Sequence, residues 1–320
     1  MQYKFPNNYL EGVGIWANRK SEVSKEIRLP KTLDDCIRLL RDSAKTTDKE
    51  YLENVKNDLL MLGESNAAKK VDEKIEQLQI TEQFEKQYEM VFVQGGTFTM
   101  GATPEQGRDC SDNEKPAHRV TVSDYYIGKY PVTQAVWKLI MGSYPSELYN
   151  KGCDNCPVEG VSWNDAQEFI GKLNATKTNG NYRLPTEAEW EFAARGGNQS
   201  KGYKYSGGNT MYEVSWYRIG DSGNSKHGTE GTTDPVGTKK PNELGICNMS
   251  DNVCEWCNDW YDSYSSKSQN NPIGPSTGRS RVTRGGSWGD SAKFCRVSSR
   301  SYCEPSSHAA CIGFRLARSL

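Results

Sequence analysis

Ten cysteines carry most of the chemistry that this chain could perform, and their spacing limits which kinds are open. Cys153-Asp-Asn-Cys156 and Cys254-Glu-Trp-Cys257 are both CxxC pairs, the spacing of half a four-thiolate zinc site. Roughly a hundred residues separate the pairs, against about 15–20 in a zinc ribbon. Zinc is therefore disfavoured, and the thiols read as packed or as able to form a disulfide under some conditions. His118, His227 and His308 are scattered and make no HExxH-type pair. No GxSxG turn presents a serine nucleophile, and the glycines at 285–286 belong to no GxxxxGK[ST] phosphate loop. One more cysteine, Cys295, follows the Gly285-Gly286-Ser287 turn, with Asp290 between them.

The elements that must position these residues fall into two stretches. Residues 31–88 read as helices. Thr32 with Asp35 and Thr47 with Glu50 resemble capping boxes, and apolar residues then recur at helical spacing (Leu52, Val55, Leu59, Leu62, then Val71, Ile75, Leu78). Gly63 and Ser65 separate two of these helices, and Cys36 reads as a small core residue. This segment, 1–88, is expected to be a small bundle with a solvated exterior. From Met90 the composition changes: seven of the eight Trp lie beyond it. MVFVQGGTFTMG and HRVTVSDYYIGKYPVT alternate like short strands. Ser162 with Asp165 and Thr186 with Glu189 open two helices, the second stopped by Gly196 and Gly197; beyond these the chain reads mostly as loop.

Forty basic against 41 acidic residues give a formal charge of -1, which argues against a dedicated nucleic-acid binder or a polybasic membrane protein. Eight Lys or Arg between Arg279 and Leu320 face only Asp290 and Glu304, but arginines interspersed in a Gly-rich loop fold more often pair with carboxylates and carbonyls. No apolar run is long enough to span a bilayer, and MQYKFPNNYLEGVG lacks the apolar stretch of a secretory signal. The expectation is a cytoplasmic chain with reduced thiols.

GGTFTMG (95–101), YPVT (130–133), PVEGVSWNDA (157–166), YRLPTEAEWEFAARGG (182–197), DNVCEWCNDWY (251–261), RVTRGGSW (281–288) and IGFRLA (312–317) together resemble the formylglycine-generating, sulfatase-modifying-factor family. The resemblance implies an α+β, C-type-lectin-like fold, loop-rich, over residues 89–320, preceded by the helical segment. It also implies, for the family's enzymes, copper(I) held by two cysteines after the GGS turn. Here those positions are Asp290 and Cys295. A carboxylate is a poor ligand for soft copper(I), so copper enters only under an oxidase alternative acting on a sulfatase Cys through Cys295. The family's calcium ligands would correspond to Asn252 and Glu255, with Asp251 and Cys254 standing where Gly and Trp are common.

The last segment, about 284–320, interleaves two populations. Gly285, Gly286, Ser287, Trp288, Cys295, Arg296, Val297, Arg300, Pro305 and Ile312-Gly-Phe-Arg-Leu-Ala read as skeleton. Gly289, Asp290, Ser291, Phe294, Ser299, Ser301, Tyr302, Cys303, Ser307, His308, Ala309, Ala310 and Cys311 follow no helical or strand period. This mixture resembles the variable region of diversity-generating retroelement proteins. That resemblance implies adenine-directed rewriting of AAC codons, which reaches the residue at each of these thirteen positions but never Lys or Glu. No Asn occurs after Asn271. The leading expectation is a non-enzymatic protein that binds a protein or other macromolecular ligand through these positions. An undiversified binding member of the same family is a further alternative.

Overall fold

The computed structural model describes residues 42–43, 46–176, 181–215 and 232–320. The expectations at Thr32, Asp35, Cys36 and His227 lie outside these. The chain divides into two compact units, 1–76 and 77–320. In the first, helix α1 (Lys49–Met61) is followed by the start of α2 (Ser65–Gln87). Leu52, Val55 and Leu59 on α1, and Ala68, Val71 and Ile75 on α2, are buried at helical spacing. Two details differ from the sequence expectation. The α1 cap is Asp48, not Thr47: its carboxylate accepts from Tyr51 N at 3.0 Å, satisfying an amide that has no partner within the helix. Leu62 closes the helix at its exposed end instead of joining the core.

The second unit takes up the end of α2, where Phe84 and Tyr88 are buried. Strands β1 (Met90–Val93), β2 (Gly96–Met100), β3 (His118–Val122) and β4 (Tyr125–Gly128) follow. Helices α3 (Gln134–Met141) and α4 (Trp163–Ala175), the short β5 (Tyr182–Arg183), α5 (Glu187–Ala194) and α6 (Met211–Val214) come next. Beyond them lie β6 (Cys254–Trp260), β7 (Gln269–Asn270), β8 (Arg281–Arg284), β9 (Arg300–Cys303), β10 (Ile312–Gly313) and β11 (Ala317–Ser319). The expected capping boxes are both present, at Ser162 with Asp165 and at Thr186 with Glu189.

Three small sheets result, ordered β1-β4-β11-β5, β10-β6-β8-β9 and β2-β3-β7. β11 lies inside the first, between β4 and β5, so the C-terminal strand is an interior one. One hydrophobic cluster gathers Trp137, Phe169, Trp256 and Phe314 between α3, α4 and the second sheet. Another packs Trp190 and Phe192 of α5 against Val120, Ile127 and Val282. This is the α+β, loop-rich arrangement expected from the sequence. β6, however, stands where the sequence reads as loop. Its polar residues are not solvated; Glu255 and Asp259 are 0% and 4% exposed and are paired inside the protein.

Candidate functional site: the C-terminal segment and its supports

Buried arginines do most of the positioning. Arg315, fully buried, donates from Nε and Nη2 to the two carboxylate oxygens of Glu255, both at 2.6 Å. The same carboxylate accepts from Trp190 Nε1 at 2.7 Å, and Arg315 also reaches the carbonyls of Gly128 and Cys247. Burial works against the guanidinium charge, but Glu255 outweighs it and holds the Arg315 pKa above its usual value. One ion pair thus ties the 182–197, 251–261 and 312–317 motifs together. Breaking such a pair would leave an uncompensated charge in the interior.

Three further arginines hold the stretch from β8 to β9. Arg284 donates to the carbonyls of Val297, Ser298 and Ser299 and pairs with Glu191. Arg296 grips Glu114 in a fork at 2.7 and 2.6 Å. Arg300 does the same with Glu187, both bonds at 2.7 Å. Planar bidentate pairs of this kind fix orientation as well as charge.

On this frame Gly289, Ser291, Phe294, Ser301, Tyr302 and His308 are exposed, Phe294 at 45% and Tyr302 at 52%. Asp290, Cys303, Ser307, Ala309, Ala310 and Cys311 are half-buried. Asp290 accepts from Ser287 Oγ at 2.7 Å. His308 Nε2 lies 2.9 Å from Asp165 Oδ2, the capping carboxylate of α4. The Tyr302 ring lies 4.3 Å, centroid to centroid, from that of Tyr261, a neighbour that no spacing in the sequence points to. Two expectations are corrected. Ser299 is 8% exposed, because its carbonyl accepts from Arg284 at 2.6 Å and its amide donates to Arg296 O. Trp288, read as skeleton, is half-buried and not part of the core, its indole N–H donating to Ala310 O at 3.1 Å.

The metal expectations fare poorly against the side chains. Asn252 exchanges two hydrogen bonds with the Asp234 backbone, at 3.1 and 2.8 Å, and Glu255 is spent on Arg315 and Trp190. The oxygens of both side chains are thus already engaged by protein donors, Glu255 by a guanidinium whose charge it balances. Cys295 is 0% exposed among Tyr205, Met211 and Val214. Burial, then the charges of Asp290 and Asp251, pushes its thiol well above the usual range. With the carboxylate of Asp290 in place of a second thiolate, the pair is a poor donor set for soft copper(I). Cys153 and Cys156 are joined to each other in a disulfide, one of the two states expected for that pair, although the expectation for the chain as a whole is reduced thiols. With Cys257 in the hydrophobic core, the two CxxC pairs make no zinc site. Among the described residues no group of three or more His, Cys, Asp and Glu is placed to hold a metal. Among them, too, no helix is long and apolar enough to cross a membrane.

Known proteins resemble this chain in sequence and in fold. The formylglycine-generating enzyme of Mus musculus is 32% identical over 71% of this chain and 74% of its own length. The chaperone protein LppX of Paenibacillus barcinonensis is 34% identical over 66% of this chain and 82% of its own. Among solved structures, Treponema denticola variable protein 1 superposes with a TM-score of 0.63 at 29% identity, covering 73% of this chain and 95% of that one. The similarity to variable proteins expected from the C-terminal segment is therefore present in the fold as well. The family described as sulfatase-modifying factor enzyme 1-like domain matches residues 76–320, and the chain belongs to that family.

Proposed function

We propose that this protein is a non-enzymatic ligand-binding protein whose C-terminal surface is diversified by a diversity-generating retroelement. The observation that carries the reading is the segregation of side chains along one segment. Skeletal Arg284, Arg296, Val297, Arg300 and Arg315 are buried, while Ser291, Phe294, Ser301, Tyr302 and His308, of the irregular set, are exposed. Exposed positions on a rigid support can vary at little cost to folding, and Tyr and Ser make adaptable contacts. The ligand is a protein or other macromolecule that meets this face. Similarity to the Treponema denticola variable protein supports the reading, and the misfit of Cys295 and Asp290 to copper(I) weighs against the oxidase alternative.

The coding DNA tests it. A nearby near-copy of the terminal segment, differing only at adenines, is expected; a complete source genome without one sinks the proposal. The oxidase alternative is tested by mixing the protein with copper(I), oxygen and a peptide bearing a sulfatase-type Cys-x-Pro-x-Arg motif. Mass spectrometry should find no aldehyde. Conversion that disappears in Cys295→Ala would reverse the assignment.

A further inference from the structure

The four residues from Cys153 to Cys156 form a small covalent ring with an uneven exposure. Cys156 is 1% exposed, whereas Cys153 is partly open and Asp154 and Asn155 are exposed. A CxxC disulfide with one reachable sulfur is the type that exchanges with thiols, in contrast to buried structural bridges.

The ring is also a hub. Its turn is closed by Cys156 N donating to Cys153 O at 2.9 Å. Asp154 O accepts from Ala135 N at the start of α3, and Cys156 O accepts from Gln134 N. Asn155 O accepts from Val236 N at 2.9 Å, and Cys156 Sγ lies 3.6 Å from Thr233 O. From there the contacts run on without a gap. Asp234, between those two residues, is bonded both ways to Asn252, and Asn252 O accepts from Trp288 N at 3.1 Å. Trp288 in turn holds the carbonyl of Ala310. Both ends of the irregular segment are therefore connected to the ring by hydrogen bonds.

We propose that the Cys153–Cys156 disulfide is a thiol-exchange site for a dithiol reductant, and that its redox state sets how firmly the 232–236 stretch and the Trp288 end of the ligand surface are held. A thiolate of the reductant attacks Cys153 Sγ. The Sγ–Sγ bond breaks, Cys156 leaves as a thiolate and takes up a proton. The second thiol of the reductant then displaces Cys153, so that two electrons pass to the protein and the reductant ends as its own disulfide. Opening the ring removes the restraint that aims the Asn155 carbonyl at Val236. The Cys156 S–H so formed can donate to Thr233 O, but that weak thiol contact does not restore the Asn155–Val236 alignment. Only the second half of the proposal rests on reading the segment as a ligand surface.

The test uses the full-length protein. Native protein is treated with dithiothreitol, alkylated with N-ethylmaleimide and mapped by mass spectrometry. Cys153 should be blocked to alkylation before treatment and labelled after it, without denaturant, and Cys156, 1% exposed, should then be found as a free thiol by a second reagent added on unfolding. Cys257 and Cys295, both 0% exposed, should stay unlabelled by N-ethylmaleimide. Cys153 already labelled in air-equilibrated protein, or a pair that opens only on unfolding, overturns the exchange site. Hydrogen exchange at the amides of Val236 and Trp288 reads the coupling: it should be at least about tenfold faster in the reduced protein and in Cys153→Ser/Cys156→Ser. Unchanged rates in the dithiothreitol-reduced protein overturn the coupling even if the double variant fails to fold. Neither measurement needs a ligand, so a missing genomic template would leave both standing.

Discussion

Asp259 places a carboxyl group 4% exposed at the start of α5, accepting from Glu187 N at 3.0 Å. Burial first, and the nearby Glu187 charge second, push its pKa up to about 8. The folded protein then keeps a proton that the unfolded chain, titrating near pH ~3.9, gives up. The stability this group contributes is complete below that lower value and is lost as pH rises toward about 8. Urea unfolding over this range should show Asp259→Asn flattening the decline; an unchanged slope would mean that Asp259 is already ionised in the fold. Contrasting residues make a second prediction. Replacing Phe294, Ser301, Tyr302, His308 and Ala310 together should shift unfolding by only about 1–2 kcal/mol, because four of the five are exposed and Ala310 is small. Arg315→Ala, which strands Glu255 in the interior, should cost about 3–5 kcal/mol. If the five-site variant unfolds as readily as Arg315→Ala, the segment is core and the ligand-surface reading fails.

Between the strands, the Gly285-Gly286 turn controls where β8 hands over to the irregular segment. Gly286 has φ +68°, and a Cβ there would come 2.7 Å from Cys295 Sγ and 3.0 Å from Phe294 O. Gly286→Val should therefore fail to fold or unfold at markedly lower denaturant, through strain and overlap together. Trp288→Ala, with its ring half-buried, should lose about 2 kcal/mol instead of the 3–5 typical of a core tryptophan. Thermal unfolding of the two variants gives the order, and a Trp288 loss as large as that of Gly286→Val would place the indole in the core after all. The elements that were legible in the sequence are those whose signals are local. Ser162 with Asp165 and Thr186 with Glu189 write their helix starts within four residues, since the side chain and the amide it satisfies are neighbours. β6 was not legible. Glu255 and Asp259 in a strand buried on both faces make sense only once Arg315, 60 positions away, and the α5 amide are known. In the site, the exposed members of the irregular set were readable, but Ser299 was not, because its bonds to Arg284 and to the Arg296 carbonyl draw it inside.

For the whole molecule, residues 77–320 form a compact unit and the family match begins at residue 76. A chain starting at Gln77 should keep Phe84 and Tyr88 in its core and unfold in one cooperative transition by circular dichroism. A broad, non-cooperative melt would show that the preceding residues are required for folding. The position of β11 between β4 and β5 has one more consequence. The irregular segment is fastened on its far side, first by β10 against β6 and then by an interior strand of a different sheet. A single inserted or deleted residue there would slip β11 by one position and turn Ala317 out of the core, and a shift of reading frame would erase the strand. On the proposed reading, the fold should accept substitutions in this segment more readily than a change of length next to β11. On that same reading, a mechanism that generates variants would have to copy the codons of this segment in frame and at constant length, with errors confined to base substitution.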